Sequence, residues 1–171
     1  DALGIRRVNF LPESNDPTFH PGRTASVLIK GQKIGTIGQI HPEVADKFEC
    51  PEETYIGVLE VEKLIENANM EVEYKPLPKF PAVTRDIAML VKDEILVKQI
   101  EDIISSNSGN ILEDMKLFDV YKGKQIPDGM KSVAYSITFR GQDRTLTDDE
   151  VNAVMQKILD GLKDKLGAQL R

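Results

Sequence analysis

The second half of this chain predicts an α+β fold in which helices cover one face of an antiparallel sheet. Three features between Leu117 and Glu150 carry that expectation: two strand patterns of period two, a Pro127-Asp128-Gly129 turn between them, and a capped helix start after them. In the second strand Val133, Tyr135, Ile137 and Phe139 alternate with Ser132, Ala134, Ser136, Thr138 and Arg140, so one face is apolar and the other small and polar. Uninterrupted alternation in the first strand groups Phe118 with Val120, and Leu117 with Asp119 and Tyr121. Such a sheet can pack helices behind it and hold a flat polar ligand in front.

The bulk numbers leave room for one large domain or two small ones in 171 residues. The longest apolar runs are a few residues, far below the roughly 20 needed for a transmembrane helix, and no secretory signal pattern opens the chain. Cys50 is the single cysteine, which excludes an internal disulfide and fits a reducing cytoplasm. The chain begins with Asp1 and is expected to be part of a longer polypeptide.

A net charge of −6 argues at first against a nucleic-acid partner. Its distribution matters more. Residues 1–74 carry 7 basic and 13 acidic groups, whereas residues 75–171 carry 15 of each. Within 116–144, Lys116, Lys122, Lys124, Lys131, Arg140 and Arg144 outnumber Asp119, Asp128 and Asp143, a local excess suited to a phosphate backbone.

In chain order, Arg7 to Leu11 reads as a strand. Thr24 to Lys30 and Lys33 to Ile40 read as a hairpin turning at Gly31-Gln32, and Tyr55 to Val61 as a further strand. Pro42 suits the first turn of a short helix to about Phe48, and Lys63 to Ala68 forms another helical turn. These four strands have little helix to cover them and too small a core to stand alone. Tyr74 to Pro81 holds three prolines in eight residues and marks an extended connector, assigned to residues 75–84.

Beyond it, Arg85 to Val91 alternates, with Ile87, Met89 and Val91 opposite Asp86, Ala88 and Leu90. Val97, Ile100, Ile103 and Ile104 follow at helical spacing until Ser105 to Asn110 ends the helix. After the two strands described above, the Thr147 to Glu150 capping box opens a helix lined by Val151, Val154, Met155, Ile158, Leu162 and Leu166. It ends at Gly167, leaving Ala168 to Arg171 for a last short strand. The order over residues 85–171 is therefore β-α-β-β-α-β, the split β-α-β of ferredoxin-like antiparallel sandwiches. Both helices then share one sheet face, leaving Ala88, Asp119, Tyr121, Ser132, Ala134 and Ser136 on the other. Phe118, with Val133, Ile137 and Phe139, is expected in the core, each contributing roughly 1.5–3 kcal/mol.

The runs FPAVTRDIA (Phe80 to Ala88), LFDVYKG (Leu117 to Gly123), KSVAYSITFRGQDRTLTDDEV (Lys131 to Val151) and the closing GAQLR resemble the C-terminal anticodon-binding domain of bacterial phenylalanyl-tRNA synthetase β subunits. FHPGRTASVLIKGQKIGTIGQIHPEV (Phe19 to Val44) resembles the end of the catalytically inert, class II synthetase-like module that precedes that domain, placing residues 1–74 in it. The resemblance implies part of a cytoplasmic α₂β₂ class II ligase that uses ATP and Mg²⁺ to join phenylalanine to tRNA(Phe), with the active site in the α subunit. This fragment would be non-catalytic, with no cofactor of its own. It also implies that Ala88, Asp119, Tyr121, Ser132 and Ala134 read the guanine at the first anticodon position, the same residues that alternation leaves on the uncovered face.

The chemistry of these residues suits an unstacked base. Tyr121 offers a ring for stacking, worth about 1–3 kcal/mol. Asp119 only accepts hydrogen bonds, which matches the N1–H and N2–H₂ of guanine and repels the acceptor edge of adenine. Alanine and serine let the base lie close to the backbone. Lys116, Lys122, Lys124, Lys131, Arg140 and Arg144 are candidate phosphate contacts.

Blander readings accompany each residue. Tyr121 can pack as a strand-edge tyrosine, Asp119 can bond a turn or a lysine, and Arg85 with Asp86 can pin the strand entry. The spacing of His20, His41 and Cys50 matches no closed metal site, and Gly35 to Gly38 falls inside a hairpin and not in a phosphate loop. A rival assignment makes the ferredoxin-like half a regulatory module that binds a small metabolite or a partner's sheet edge. An organellar one-chain synthetase shares the last domain, but the HPGR and GQIHP block speaks against it.

Overall fold

A computed structural model describes residues 3–5, 8–71 and 77–171. The chain divides into two compact units, Asp1–Lys75 and Pro76–Arg171. In the first, β1 (Val8–Pro12), β2 (Phe19–Ile29), β3 (Gln32–Ile40) and β4 (Tyr55–Leu59) form an antiparallel sheet in that order, accompanied by α1 (Pro42–Lys47) and α2 (Val61–Asn67).

The β2–β3 hairpin turns one residue earlier than its sequence suggests. Ile29 pairs with Gln32, so Lys30 and Gly31 form the loop, both at positive φ (50° and 82°) as a two-residue turn of this hand requires. Its core is small, with Val27, Ile29 and Ile34 packed by Ile5 and Leu64. Arg7, at the start of the first expected strand, and Tyr74 to Pro76 of the expected connector lie outside the described residues.

The second unit contains β5 (Val83–Lys92), α3 (Val97–Ser108), β6 (Leu112–Tyr121), β7 (Met130–Phe139), α4 (Asp148–Leu166) and β8 (Gln169–Leu170). Its sheet has the order β6-β7-β5-β8 with every pairing antiparallel, so the two most buried strands, β7 and β5, lie in the middle. α3 runs three residues past Ser105, and in this last turn Ser106, Asn107 and Ser108 bond their side chains back to the carbonyls of Ile103 and Ile104. α4 starts on the expected reciprocal cap between Thr147 and Glu150 and stops at Gly167, whose φ of 64° is left-handed.

Both helices bury their apolar stripes against one sheet face. Ile100, Ile103, Ile104, Val151, Ile158 and Leu162 join Ile87, Met89, Val91, Val133, Tyr135, Ile137 and Phe139 in a single core. The residues between them on β5 and β7 point to the face without helices, as strand alternation requires.

The strand β6 departs from simple alternation. Its register against β7 skips once between Leu112 and Asp114 and again between Leu117 and Asp119, each a β-bulge that inserts one unpaired residue. The second bulge corrects the expected position of Phe118, which is 54% exposed and outside the core. Leu117 pairs with Tyr135 and packs into the core instead. Beyond the bulge, Asp119 pairs with Ala134 and Tyr121 with Ser132, so both return to the helix-free face.

Candidate functional site

The cross-strand registers define rungs across the helix-free face. One rung contains Asp119, Ala134 and Ala88, and the next contains Tyr121, Ser132 and Leu90. All five residues singled out from the sequence therefore stand side by side on two adjacent rungs. Leu90 also belongs to the second rung, and only the pairing shows it beside Ser132 and Tyr121.

The relief of this surface follows from side-chain size. Ala134 and Ser132 are 6% exposed although no helix covers them, flanked by Asp119 and Tyr121 on β6 and by Ala88 and Leu90 on β5. They form the floor of a shallow trough, with Tyr121 (42% exposed) and Asp119 along its β6 side. Such a trough admits a flat ring close to the backbone. Tyr121 lies over Gly123, where a β-carbon would collide with the phenol hydroxyl and Cζ. The next rungs, Lys116–Ser136–Asp86 and Asp114–Thr138–Thr84, continue the polar face.

Tertiary contacts sort the candidate cations. Lys122 pairs with Asp93 at 2.9 Å. Lys131 donates to the carbonyls of Asp93 (2.9 Å) and Ile95 (2.6 Å), tying the loop after β5 to β7. Its ammonium pKa is lowered by burial and by neighbouring Lys122. Arg140 bonds Glu113 at 2.9 Å and also the carbonyl of Phe80, while Arg144 grips Glu150 at 2.7 Å. Lys116 and Lys124 are exposed and have no carboxylate partner among the described residues.

Arg85 also has a structural task, bridging to Asp148 in the first turn of α4 at 2.8 Å. His41 caps α1, its Nδ1 accepting from the backbone N–H of Glu43 at 3.3 Å. Among the described residues no group of three or more His, Cys, Asp or Glu side chains converges in a way that suits a metal ion.

Residues 78–171 match the family profile of the ferredoxin-fold anticodon-binding domain. The chain belongs to this family. The anticodon-binding domain thus comprises the whole second sheet, both covering helices and the trough. Residues 1–61 match the CLM domain of the phenylalanyl tRNA synthetase beta chain.

Curated relatives agree along the full sequence. The phenylalanine–tRNA ligase beta subunit of Clostridium tetani is 54% identical over 171 residues, covering 100% of this chain and 22% of that protein. Its counterpart in Clostridium acetobutylicum is 46% identical with the same coverage. That of Halalkalibacterium halodurans is 42% identical over 169 residues, covering 99% of this chain and 21% of that protein. The chain thus spans about a fifth of the length of these relatives. Among the described residues no helix is long and apolar enough to cross a membrane.

Proposed function

We propose that the trough of the anticodon-binding domain reads the first anticodon base of tRNA(Phe) for a phenylalanine–tRNA ligase. The observation that carries this reading is the grouping of Asp119, Ala134, Ala88, Tyr121 and Ser132 on two neighbouring rungs of a helix-free face. Tyr121 stacks on the base, Asp119 accepts from the guanine edge, and the alanines and Ser132 set its depth. Lys116 and Lys124, exposed and unpaired among the described residues, meet phosphates. Lys122, Lys131, Arg140 and Arg144 serve mainly to hold loops and caps together.

In this reading, residues 1–74 end a catalytically inert synthetase-like module and residues 75–84 connect it to the anticodon reader. The whole enzyme is a cytoplasmic α₂β₂ assembly. Its partner α subunit carries the ATP- and Mg²⁺-dependent chemistry, and this chain contributes binding alone.

Filter binding with tRNAs that differ only in the anticodon tests the proposal. Tyr121→Ala and Asp119→Ala should each weaken binding to tRNA(Phe) by about tenfold, within the 1–3 kcal/mol ascribed to a stacked base, without loss of the folded circular-dichroism spectrum. Unchanged affinity in both variants would overturn it.

A further inference from the structure

We infer that Arg171 is a further RNA-contacting residue, completing the proposed base-reading platform with a phosphate contact on its fourth strand. The inference rests on the proposed role of the trough and extends it across the sheet. β8 pairs with β5 through Leu170 opposite Met89 and Gln169 opposite Leu90. The backbone N–H of Arg171 then donates to the carbonyl of Ala88 at 3.0 Å, continuing the same ladder by one residue.

Arg171 consequently stands opposite Ala88, on the rung that contains Ala134 and Asp119. Leu170 lies beside Met89, Leu159 and Leu162 on the helix side, so strand alternation turns Arg171 to the trough side. Arg171 is exposed and has no carboxylate partner among the described residues.

The rung therefore has a carboxylate on one edge strand and a guanidinium on the other, with two alanines between. At a strand spacing of about 4.8 Å their Cα positions are ~14 Å apart, and the long arginine stem narrows that gap. A nucleotide has the matching polarity: the donor edge of its guanine suits Asp119, and its phosphate suits Arg171. Arginine's fork also binds a phosphate oxygen pair in a bidentate manner that lysine approximates only as a point charge.

The test uses the full chain and measures tRNA affinity over a salt series for Arg171→Ala, Arg171→Lys and Tyr121→Ala, each against the cognate and an altered anticodon. Arg171→Ala should bind both tRNAs about fivefold more weakly and lower the salt slope by about 0.7, the value for one phosphate on a single strand. Arg171→Lys should restore the salt slope and recover only part of the affinity.

Parent-like binding by Arg171→Ala, with Tyr121→Ala weakened, overturns the role of Arg171 and leaves the platform standing. Parent-like binding by both variants overturns the platform itself, and this inference with it. A loss confined to the cognate anticodon with an unchanged slope overturns the phosphate assignment.

Discussion

The ring of Tyr121 lies over Gly123, two residues on along the same chain, and that position has no room for a β-carbon while the ring stays there. The contact holds the proposed stacking surface, and among the described residues the phenol makes no hydrogen bond. Gly123→Ala should turn the ring away from its resting place and weaken tRNA binding about threefold to tenfold, a part of the 1–3 kcal/mol of stacking. Thermal unfolding should stay close to the parent, since the obstacle is the movable end of a side chain. Equal affinity, measured by filter binding, would show that the ring position is immaterial.

Asp119 supplies discrimination by being an acceptor only. Asp119→Asn keeps the shape and adds an NH₂ donor, so the penalty against adenine should fall. The expected result is narrower discrimination between tRNAs with guanine and adenine at the first anticodon position, by about 1–3 kcal/mol, the cost of leaving a polar group unmatched. Parallel affinity measurements on the two tRNAs check it.

Lys131 sits in the most basic stretch of sequence yet donates to the carbonyls of Asp93 and Ile95. Lys131→Met should destabilise the domain by about 1–2 kcal/mol, the usual loss for partly buried charge-assisted bonds, and leave the salt slope of tRNA binding nearly unchanged. Lys116→Met should do the reverse. Denaturant unfolding and a salt series on both variants separate the two kinds of lysine.

Tyr135 lies fully buried in the core, and among the described residues its hydroxyl has no hydrogen-bond partner. Burial raises its phenol pKa, with the charge of Glu101 adding to the effect. Tyr135→Phe removes the unsatisfied group and keeps the ring. The variant should be at least as stable as the parent, by up to about 1 kcal/mol, with a melting temperature a few degrees higher by calorimetry.

The Glu150 carboxyl is held down at about 2, first by the Arg144 guanidinium and then by the Thr147 backbone N–H and hydroxyl. A carboxylate with a depressed folded pKa contributes stability that is complete above its ordinary value of 4.5 and is lost as pH falls toward about 2. Glu150→Gln should therefore reduce the pH dependence of unfolding between those limits and leave its slope near neutrality alone. Urea midpoints measured at steps across the acid range show the difference.

Much of this architecture is legible in local sequence. The alternation in Val133 to Phe139, the cap at Thr147 and the stop at Gly167 each depend on residues a few positions apart, so period and capping chemistry suffice to read them. Phe118 was not legible in this way. A bulge is a mismatch between two strands, and its site depends on what β7 offers opposite β6. The candidate cations share that dependence: Lys131 and Lys116 look alike in sequence, and only the chain folded around them gives one a pair of carbonyls and leaves the other, among the described residues, without a carboxylate partner.

The sequence alone determined the order of elements, the apolar face of the second sheet and the kind of chemistry its other face presents, because each is written in short-range periodicity. Tertiary structure decided which residues share a rung, which strand carries the bulges and which charges are already engaged. Those outcomes are set by hydrogen-bond register and packing between segments distant in the chain. Alternation within one strand assigns a side chain to a face, but only the pairing of several strands places Asp119, Ala134, Ala88 and Arg171 in one line.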